Sequence, residues 1–577
     1  MVEEKKNEAL EAEGEYRTAV EEAYDYVENF DILETITNVG NDEVFTPRKT
    51  VDMMLDSLPE EVWHNPNYKW LNPATKNGIF EREIAIRLDK GLEDVIPNVE
   101  KRRKHILQNM IYSIGQTKFT ANVARRTLYY CSQANRKCDG IKANDGHYIN
   151  GYAIGNGTWF KDEEGNVKTP CTDHVYVDGS GKAMPMNCEG DARKKYKCKF
   201  CGISGASEYN DKNQREKYAY ELIHIPRLNL RRYMQDRFFG GDRNMKFDII
   251  IGNPPYQLSD GGAQASARPI YNLFVNQARE LNPKYLCMII PSRWMTGGKG
   301  LDDFRSSMIS DKHIRLLHDF IDPKECFPNN DIKGGVCYFV WERDNEGKCK
   351  ICMHKDGKIT ESTRYLKEGS VDVFVRDERL LPLLEKSLAY KGGSFSKIVS
   401  PRKPYGLSGD VFKDPGKYAL PPMSETPIEG GLIIHGLDEH LKRVKRYVPY
   451  SYPVPKKDLI KGWKLFVARN QGSGLFGETM SEAIIAGDNE LCTETYVVFG
   501  TFKTKEEADN CWKYIKTKFF RAMLGIRKLD QGAAQGVYQY VPLVDFNVAW
   551  DDEKLYKKFE LSKDDISFIE NNVQEMI

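Results

Sequence analysis

Short apolar runs of strand length alternate with helical patterns between residue 44 and about residue 343. The runs that predict strands are residues 68–72, 110–114, 247–252, 285–291, 314–320 and 335–341. Most of them are continuously apolar rather than alternating, which is typical of parallel strands that helices cover on both faces. The pattern therefore predicts a doubly wound α/β domain over residues 44–345.

Two regions break this rhythm. Glycine, asparagine, aspartate, lysine and cysteine dominate residues 130–215, which predicts an irregular, cysteine-containing insertion in the α/β domain. Prolines accumulate over residues 390–430 and predict a linker at the start of a separate domain, residues 390–577, of mixed α+β structure.

Charge is distributed unevenly, although the formal net charge is zero. Residues 1–43 contain 14 acidic and 3 basic side chains, so the rest of the chain carries 81 basic against 70 acidic ones. Spaced apolar residues in 1–30 predict an acidic amphipathic helix, either a packed leader or a docking or autoinhibitory element. Residues 441–470 hold nine basic side chains and one acidic one. Such a cluster suits either contacts to phosphate or a solvated face.

Neither a membrane span nor a signal peptide is indicated, because long apolar runs are missing and the N-terminus is acidic. We therefore expect a cytoplasmic protein without a membrane partner. Thirteen cysteines in 577 residues do not indicate a disulfide scaffold, so most should be reduced and buried.

The sharpest chemical signal is Asn253-Pro254-Pro255-Tyr256, directly after the apolar run 247–252. A strand that ends in this tetrapeptide places polar groups at the carboxyl edge of a parallel sheet, where open α/β folds bind ligands. The prolines supply no backbone donor, so carbonyl oxygens and the Asn253 side chain remain free as acceptors. Acceptors of this kind can polarise an amino group for attack on a methyl sulfonium, while Tyr256 stacks on a base.

Near the N-terminus, Phe45-Thr46-Pro47 precedes a helical pattern over residues 49–58. With Asn253-Pro254-Pro255-Tyr256 downstream, the chain resembles the adenine-N6 DNA methyltransferases of type II-like restriction-modification systems, in the gamma class, whose cofactor half precedes the catalytic half. The resemblance implies a Rossmann-like fold, S-adenosylmethionine as cofactor and a flipped adenine as substrate. It also implies that Asn253, Pro254, Pro255 and Tyr256 are catalytic and that Phe45, Thr46 and Pro47 cover the methionine part of the cofactor.

The resemblance extends to a cofactor loop that reads Asn72-Pro73-Ala74-Thr75-Lys76-Asn77-Gly78. Asn72 replaces the usual aspartate, and Asn72, Pro73, Ala74 and Gly78 are the expected contacts. The next strand normally ends in an acidic residue that holds the ribose hydroxyls, but Gln116 stands there. Further along, Tyr338 or Phe339 is expected either to stack on the flipped base or to form part of a plain core strand.

The insertion contains Cys198-Lys199-Phe200-Cys201-Gly202, a spacing suited to a structural zinc ion. Sequence alone leaves the second pair of ligands open: Cys171 with Cys188, Cys171 with His174, or Cys131 with Cys138. It also leaves open whether zinc binds at all.

Target recognition is expected in the C-terminal domain, since relatives place it there. The expected contacts to double-stranded DNA are Lys442, Arg443, Lys445, Arg446, Lys464, Arg469, Lys516 and Arg521. Residues 1–44 are too few for a nuclease domain, so a restriction endonuclease or helicase is expected on a separate polypeptide.

These features predict a site-specific DNA adenine-N6 methyltransferase, the modification component of a restriction-modification or phage-defence system. Two alternatives remain open from the sequence. One is a catalytically weak or inactive DNA-binding specificity subunit, which the departures at Asn72 and Gln116 favour. The other is a methyltransferase that acts on RNA or on a protein glutamine.

Overall fold

The computed structural model of the chain describes residues 44–129, 164–206, 219–257, 268–330, 332–456, 460–528 and 531–576. The predicted leader helix, Cys131 and Cys138 lie outside these residues. Contacts between Cα atoms divide the chain into two compact units. The first unit extends to residue 365, except for segments 293–297 and 332–335, which cluster with residues 366 onward in the second unit.

The first unit is a mixed α/β structure. Its helices are α1 (Arg48–Asp56), α2 (Glu61–His64), α3 (Ile79–Gly91), α4 (Val99–Asn109), α5 (Lys118–Tyr129), α6 (Glu221–His224), α7 (Arg227–Phe239), α8 (Tyr271–Glu280) and α9 (Asp302–Ser310). Its strands are β1 (Trp70–Thr75), β2 (Ile111–Gly115), β3 (Val167–Lys168), β4 (Tyr176–Val177), β5 (Lys197–Cys198), β6 (Ile249–Gly252), β7 (Tyr285–Pro291), β8 (Ile314–Phe320), β9 (Val336–Glu342), β10 (Cys349–Lys355) and β11 (Lys358–Arg364). Each of the six predicted strands overlaps one of these.

The central sheet has nine strands in the order β11-β10-β8-β9-β7-β6-β1-β2-β3. Strands β3, β2, β1, β6 and β7 are parallel neighbours, as predicted. The prediction of a parallel sheet is wrong beyond β7, because β9 lies antiparallel between β7 and β8. Strand β9 is buried along nearly its whole length, and burial on both faces gives the same apolar run whatever the direction of the strand.

The first unit extends past residue 345, the boundary expected from the sequence. Strand β10 pairs parallel with β8, and β11 pairs with β10 in an antiparallel hairpin, so the sheet continues to Arg364. In the second unit, Phe395 and Tyr405 are fully buried although they lie within the predicted linker. Residues 390–430 are therefore part of a packed unit.

The second unit mixes helices with two small sheets. Its helices are α10 (Leu381–Ala389), α11 (Lys505–Lys516), α12 (Lys518–Gly525), α13 (Asp552–Lys558) and α14 (Lys563–Asn572). Its strands are β12 (Leu432–Leu437), β13 (Arg443–Val448), β14 (Trp463–Ala468), β15 (Ile484–Ala486), β16 (Glu490–Cys492) and β17 (Tyr496–Phe502). The sheet orders are β13-β12-β16 and β15-β14-β17.

Strand β14 separates two hydrophobic cores of the second unit. Leu465 and Val467 pack into a core that includes the helices, whereas Phe466, between them, packs into the core under β12. This follows from the alternation of side chains across a strand. Within the part of the chain that the structure describes, no helix is both long enough and apolar enough to cross a lipid bilayer.

Candidate active site

A pocket in the first unit brings together three segments that are far apart in sequence. Its walls include Thr46, Asn253 and residues of the segment that runs from Asn72, in the second half of β1, to Glu81 in α3. Strands β1 and β6 are parallel neighbours, so the residues that follow them reach the same edge of the sheet. The sequence-predicted cofactor loop and Asn253, the first residue of the predicted catalytic tetrapeptide, therefore line one pocket.

The side-chain amide of Asn253 has a fixed orientation. Its Nδ2 donates to the backbone oxygen of Val44 at 3.2 Å and to Oγ1 of Thr46 at 3.0 Å. A backbone carbonyl can only accept, so the nitrogen and not the oxygen must face Val44. Asn253 is 2% exposed, and its Oδ1 has no hydrogen-bond partner among the described residues. The pocket thus contains a pre-oriented acceptor.

Two glycines allow the close packing of this edge. Gly78 begins α3 with φ +81°, and a Cβ there would lie 2.8 Å from the Cα of Ala124 on α5. A Cβ on Gly252, at the end of β6, would lie 2.5 Å from Oδ1 of Asn72. The same Oδ1 accepts from the backbone nitrogen of Ala74 at 3.2 Å. Asn72, which stands where the resembling family usually has an aspartate, therefore makes a hydrogen bond within the predicted cofactor segment.

A carboxyl group that the sequence analysis did not identify also lines the pocket. Glu81, in the first turn of α3, is 1% exposed, and neither oxygen makes a hydrogen bond of normal geometry to a described residue. Burial raises the pKa of the Glu81 carboxyl, and the nearby side chains of Thr75, Ser113 and Asn72 partly oppose that rise. The available signal was a glutamate that directly follows Ile79-Phe80 on the buried face of a helix.

Gln116 follows β2, next to the end of β1, and its backbone nitrogen donates to the oxygen of Thr75 at 3.2 Å. Its side-chain amide is buried, and neither amide atom has a partner within the described part of the chain. A buried amide of this kind is costly unless a ligand or water satisfies it. Glu81 and Gln116 are therefore candidates for contacts to a polar ligand.

Tyr256 ends the predicted catalytic tetrapeptide and is half-buried, whereas Pro254 and Pro255 are buried. Its ring meets Phe327 edge to face, with 6.5 Å between ring centroids. The hydroxyl is buried without a hydrogen bond to any residue the structure describes, and burial raises its pKa well above the ordinary value. Tyr256 therefore contributes an aromatic ring held by an aromatic neighbour.

Comparison with known proteins identifies the family. A family model described as Eco57I restriction-modification methylase matches residues 109–327, which include Asn253 and Tyr256. A protein of Mycoplasma pneumoniae named as an uncharacterized adenine-specific methylase is 42% identical over 381 residues, covering 64% of this chain and 85% of that protein. The chain belongs to the adenine-specific methylases of the restriction-modification type.

Two solved structures resemble this methylase at low identity. A nuclease-deletion mutant of the type ISP restriction-modification enzyme LlaGI, in complex with a DNA substrate mimic, is 11% identical with a TM-score of 0.44, over 86% of this chain and 46% of that one. The type ISP enzyme LlaBIII, bound to DNA, is 10% identical with a TM-score of 0.42, over 92% and 39%. The methylase spans less than half the length of either enzyme.

The two rings considered for base stacking lie in the interior of the methylase. Tyr338 is stacked on His318 with 4.6 Å between centroids, and its hydroxyl lies 3.1 Å from Oγ of Ser57. Phe339 is fully buried in β9. Neither ring presents an open face, so we do not include them in the proposed base-binding set.

The eight basic residues predicted to contact DNA differ in how far their side chains are exposed. Lys442, Arg443 and Lys445 are exposed, and Arg446, Arg469 and Lys516 are partly exposed. Arg443 and Arg469 line one cleft of the second unit together with Arg402. Arg402 is paired with Glu494 across this cleft, with Nε 2.7 Å from Oε2. The cleft therefore gathers arginines from three parts of the chain, and the charge of one of them, Arg402, is compensated by Glu494.

Lys464 and Arg521 have internal roles instead. Nζ of Lys464 donates to the backbone oxygens of Ile460, Gly462 and Gly487 at 2.6, 3.1 and 2.8 Å, and burial lowers its pKa to about 8. Arg521 is 2% exposed and donates to the backbone oxygen of Gly477 at 3.3 Å. A phosphate contact from either side chain would require breaking these bonds, so both are left out of the proposed DNA-contact set.

The structure also shows which cysteines of the insertion lie close to other possible metal ligands and which do not. Cys198 and Cys201 lie together with His174 and His224. Cys171 is exposed with its Sγ 3.3 Å from the hydroxyl of Tyr233, and Cys188 is partly exposed outside the group. The group thus consists of two cysteines and one histidine of the insertion together with His224 of α6.

Proposed function

We propose that this methylase transfers a methyl group from S-adenosylmethionine to the N6 amino group of adenine in double-stranded DNA. The observation that carries the proposal is the free Oδ1 of Asn253, held in the pocket by the bonds of Nδ2 to Val44 and Thr46. The family supports adenine as the target. The donor, the N6 position and the DNA substrate are our inference.

Polar groups that line the pocket, such as Glu81, or adjoin it, such as Gln116, fit such a cofactor. Glu81 and Gln116 offer buried acceptors without partners in the described chain, as ribose hydroxyls require. At the N-terminus of α3 the backbone nitrogen of Ile79 donates to Oδ1 of Asn77 at 3.3 Å, and the N-cap Gly78 has no side chain to cap the N–H groups that follow, which are suited to the cofactor carboxylate. Phe45, Thr46 and Pro47 would cover the methionine part, and Asn72, Pro73, Ala74 and Gly78 would form the loop. When bound, S-adenosylmethionine supplies an electrophilic methyl group.

The catalytic residues would act on the amino group of the base. Oδ1 of Asn253 and the backbone oxygen of Pro254 each accept one amino hydrogen, which draws the nitrogen lone pair out of conjugation with the purine ring. This stabilisation grows as positive charge develops on the nitrogen, so it favours the transition state over the ground state. Tyr256 stacks on the face of the extruded adenine.

For DNA binding we propose the cleft lined by Arg402, Arg443 and Arg469, with Lys442, Lys445, Arg446 and Lys516 as further phosphate contacts. The protein would be the modification component of a restriction-modification or phage-defence system, with a separate endonuclease or helicase as partner.

The test begins with expression of the chain in a host that lacks adenine methylation, followed by sequencing of the genome for N6-methyladenine, which names the target sequence. The purified protein is then incubated with tritiated S-adenosylmethionine and a duplex that carries that sequence. We expect label that digests to N6-methyldeoxyadenosine, and Asn253→Ala should lower the rate by about 100-fold or more. Asn109→Ala, an exposed change at the end of α4, is the matched control. DNA binding without label would overturn the proposal.

A further inference from the structure

Four side chains with the chemistry of metal ligands converge where the insertion meets α6, three from the insertion and one, His224, from the end of α6. Cys198 Sγ, Cys201 Sγ and one ring nitrogen each of His174 and His224 all lie within 4.8 Å of one another. Nδ1 of His174 is 3.5 Å from Sγ of Cys201 and 3.1 Å from Nε2 of His224. In a tetrahedral site each ligand atom lies about 2.0–2.3 Å from the metal ion. The distances between one ligand atom and the next are then similar to those observed between these side chains.

The backbone of the insertion positions these ligands. Strands β4 and β5 pair antiparallel with Tyr176 opposite Cys198, so His174, two residues before β4, approaches the cysteine turn. The turn closes with the backbone nitrogen of Gly202 donating to the oxygen of Cys198 at 2.8 Å. Gly202 has φ +78°, which favours glycine. The Cys-x-x-Cys pair therefore lies on a tight turn suited to presenting two thiolates.

The hydrogen bonding of His224 selects the tautomer that a metal needs. Its Nδ1 lies 2.7 Å from the backbone oxygen of Tyr220, which can only accept, so Nδ1 carries the proton. Nε2 is then a lone-pair donor, and it points toward His174 and the cysteines. A backbone carbonyl on the non-ligating nitrogen is the common arrangement for metal-bound histidine.

Burial supports a bound ion rather than a chance meeting of polar groups. Cys198, Cys201 and His224 are 2%, 0% and 4% exposed, and the ring of Phe200 lies edge-on to His224 with 5.6 Å between centroids. We propose that His174, Cys198, Cys201 and His224 bind one structural zinc ion. Two thiolates and two neutral imidazoles are a ligand set that zinc prefers, and the ion would satisfy all four groups, of which three are buried and His174 is partly exposed.

The proposed zinc site is linked to the helix that follows the catalytic tetrapeptide. Nε2 of Gln277, on α8, donates to the backbone oxygens of Leu222 and Ile225 at 3.2 and 2.8 Å, on either side of His224. Just before α8, the backbone nitrogen of Ile270 donates to the oxygen of Tyr256 at 3.1 Å. The zinc would therefore hold the insertion against α8 and stabilise the fold there without touching the substrate.

The test measures metals in the full-length protein, purified without a histidine tag, by inductively coupled plasma mass spectrometry. We expect close to one zinc per chain. Cys198→Ser combined with Cys201→Ser should lose it, and His224→Ala should weaken retention of the metal during dialysis against a chelator. Cys171→Ser and Cys188→Ser, from the same insertion but outside the group, are the matched controls and should keep the metal.

A second measurement keeps the proposal falsifiable if the double variant does not fold. Cobalt(II) introduced into the wild-type protein should give the intense visible absorption of a tetrahedral site with two sulfur and two nitrogen ligands. Protein that contains no zinc and gives no such cobalt spectrum would overturn the proposal. So would iron in place of zinc, or loss of the metal in the Cys171 and Cys188 controls. None of these outcomes depends on methyl transfer, so the zinc site and the proposed activity fail separately.

Discussion

Asn253 and Thr46 are 207 residues apart in sequence, yet Nδ2 of the first donates to Oγ1 of the second at 3.0 Å. This bond joins the segment before α1 to the residue after β6 and determines which amide atom faces the pocket. The orientation of the proposed catalytic acceptor is thus set by residues outside the predicted catalytic tetrapeptide.

The first prediction concerns Thr46. Thr46→Val removes the hydroxyl that receives Nδ2 of Asn253, so the acceptor is less well oriented and single-turnover methylation at saturating cofactor should slow by about tenfold, or about 1.4 kcal/mol. Thr46→Ser keeps the hydroxyl and should restore most of the rate. Equal rates for Thr46→Val and the wild type would show that Val44 alone is sufficient to orient Asn253.

The second prediction separates the ring of Tyr256 from its hydroxyl. Because the hydroxyl has no partner in the described structure, Tyr256→Phe should leave methylation close to the wild-type rate. Tyr256→Ala removes the stacking surface, worth about 1–3 kcal/mol for one base, and should reduce base extrusion. The fluorescence of 2-aminopurine at the target adenine measures extrusion. An unchanged signal with Tyr256→Ala would contradict a stacking role.

The third prediction concerns the pH dependence of stability through Glu81. Its pKa is raised in the folded protein, so between the ordinary value of 4.5 and the folded value the native state holds a proton that the unfolded state has released. The stability contributed by this group is therefore complete below about pH 4 and is lost as the pH rises through the folded pKa. Glu81→Gln removes the buried charge and should raise the melting temperature at pH 8, with little effect at pH 4.

Glu81→Gln should also weaken cofactor binding if Glu81 holds the ribose. A variant that gains stability and loses ligand affinity in this way is common at binding sites. Isothermal titration with S-adenosylmethionine at pH 8 measures the affinity. Glu83→Gln is the contrasting control, because Glu83 lies 2.9 Å from Nη2 of Arg82 and its loss should lower the melting temperature. A Glu81→Gln protein with unchanged affinity would remove Glu81 from the proposed contacts.

The fourth prediction concerns the basic residues of the second unit. Arg443→Ala and Arg469→Ala should each weaken DNA binding and reduce the slope of log K against log salt concentration by about one per lost phosphate contact. Fluorescence anisotropy over a salt series measures this slope.

Lys464→Ala provides the matched contrast from the same basic cluster. It should leave the salt slope unchanged but lower the free energy of unfolding by about 1–3 kcal/mol, because backbone oxygens lose the ammonium that they share. If Lys464→Ala alone changed the slope, the assignment of the cleft as the DNA contact would be wrong.

The sequence by itself determined six strands of the first unit, β1, β2, β6, β7, β8 and β9, and the position of Asn253 directly after β6. Those features follow from local patterns: continuous apolar runs form buried strands, and a polar tetrapeptide after such a strand lies at the edge of the sheet. It also indicated the Cys198 and Cys201 pair, because the spacing within one turn is a local property.

Only the tertiary structure decided which distant groups meet. The antiparallel direction of β9, the joining of His174 and His224 to the cysteine pair, the burial of Glu81 and the inward position of Lys464 leave no local signature. Each depends on packing between segments far apart in the chain. The identity of a charged residue in the sequence does not show whether its side chain contacts water, a backbone carbonyl or a ligand. The type of chemistry proposed for the pocket could therefore be predicted from the sequence. The complete set of residues that line the pocket could not.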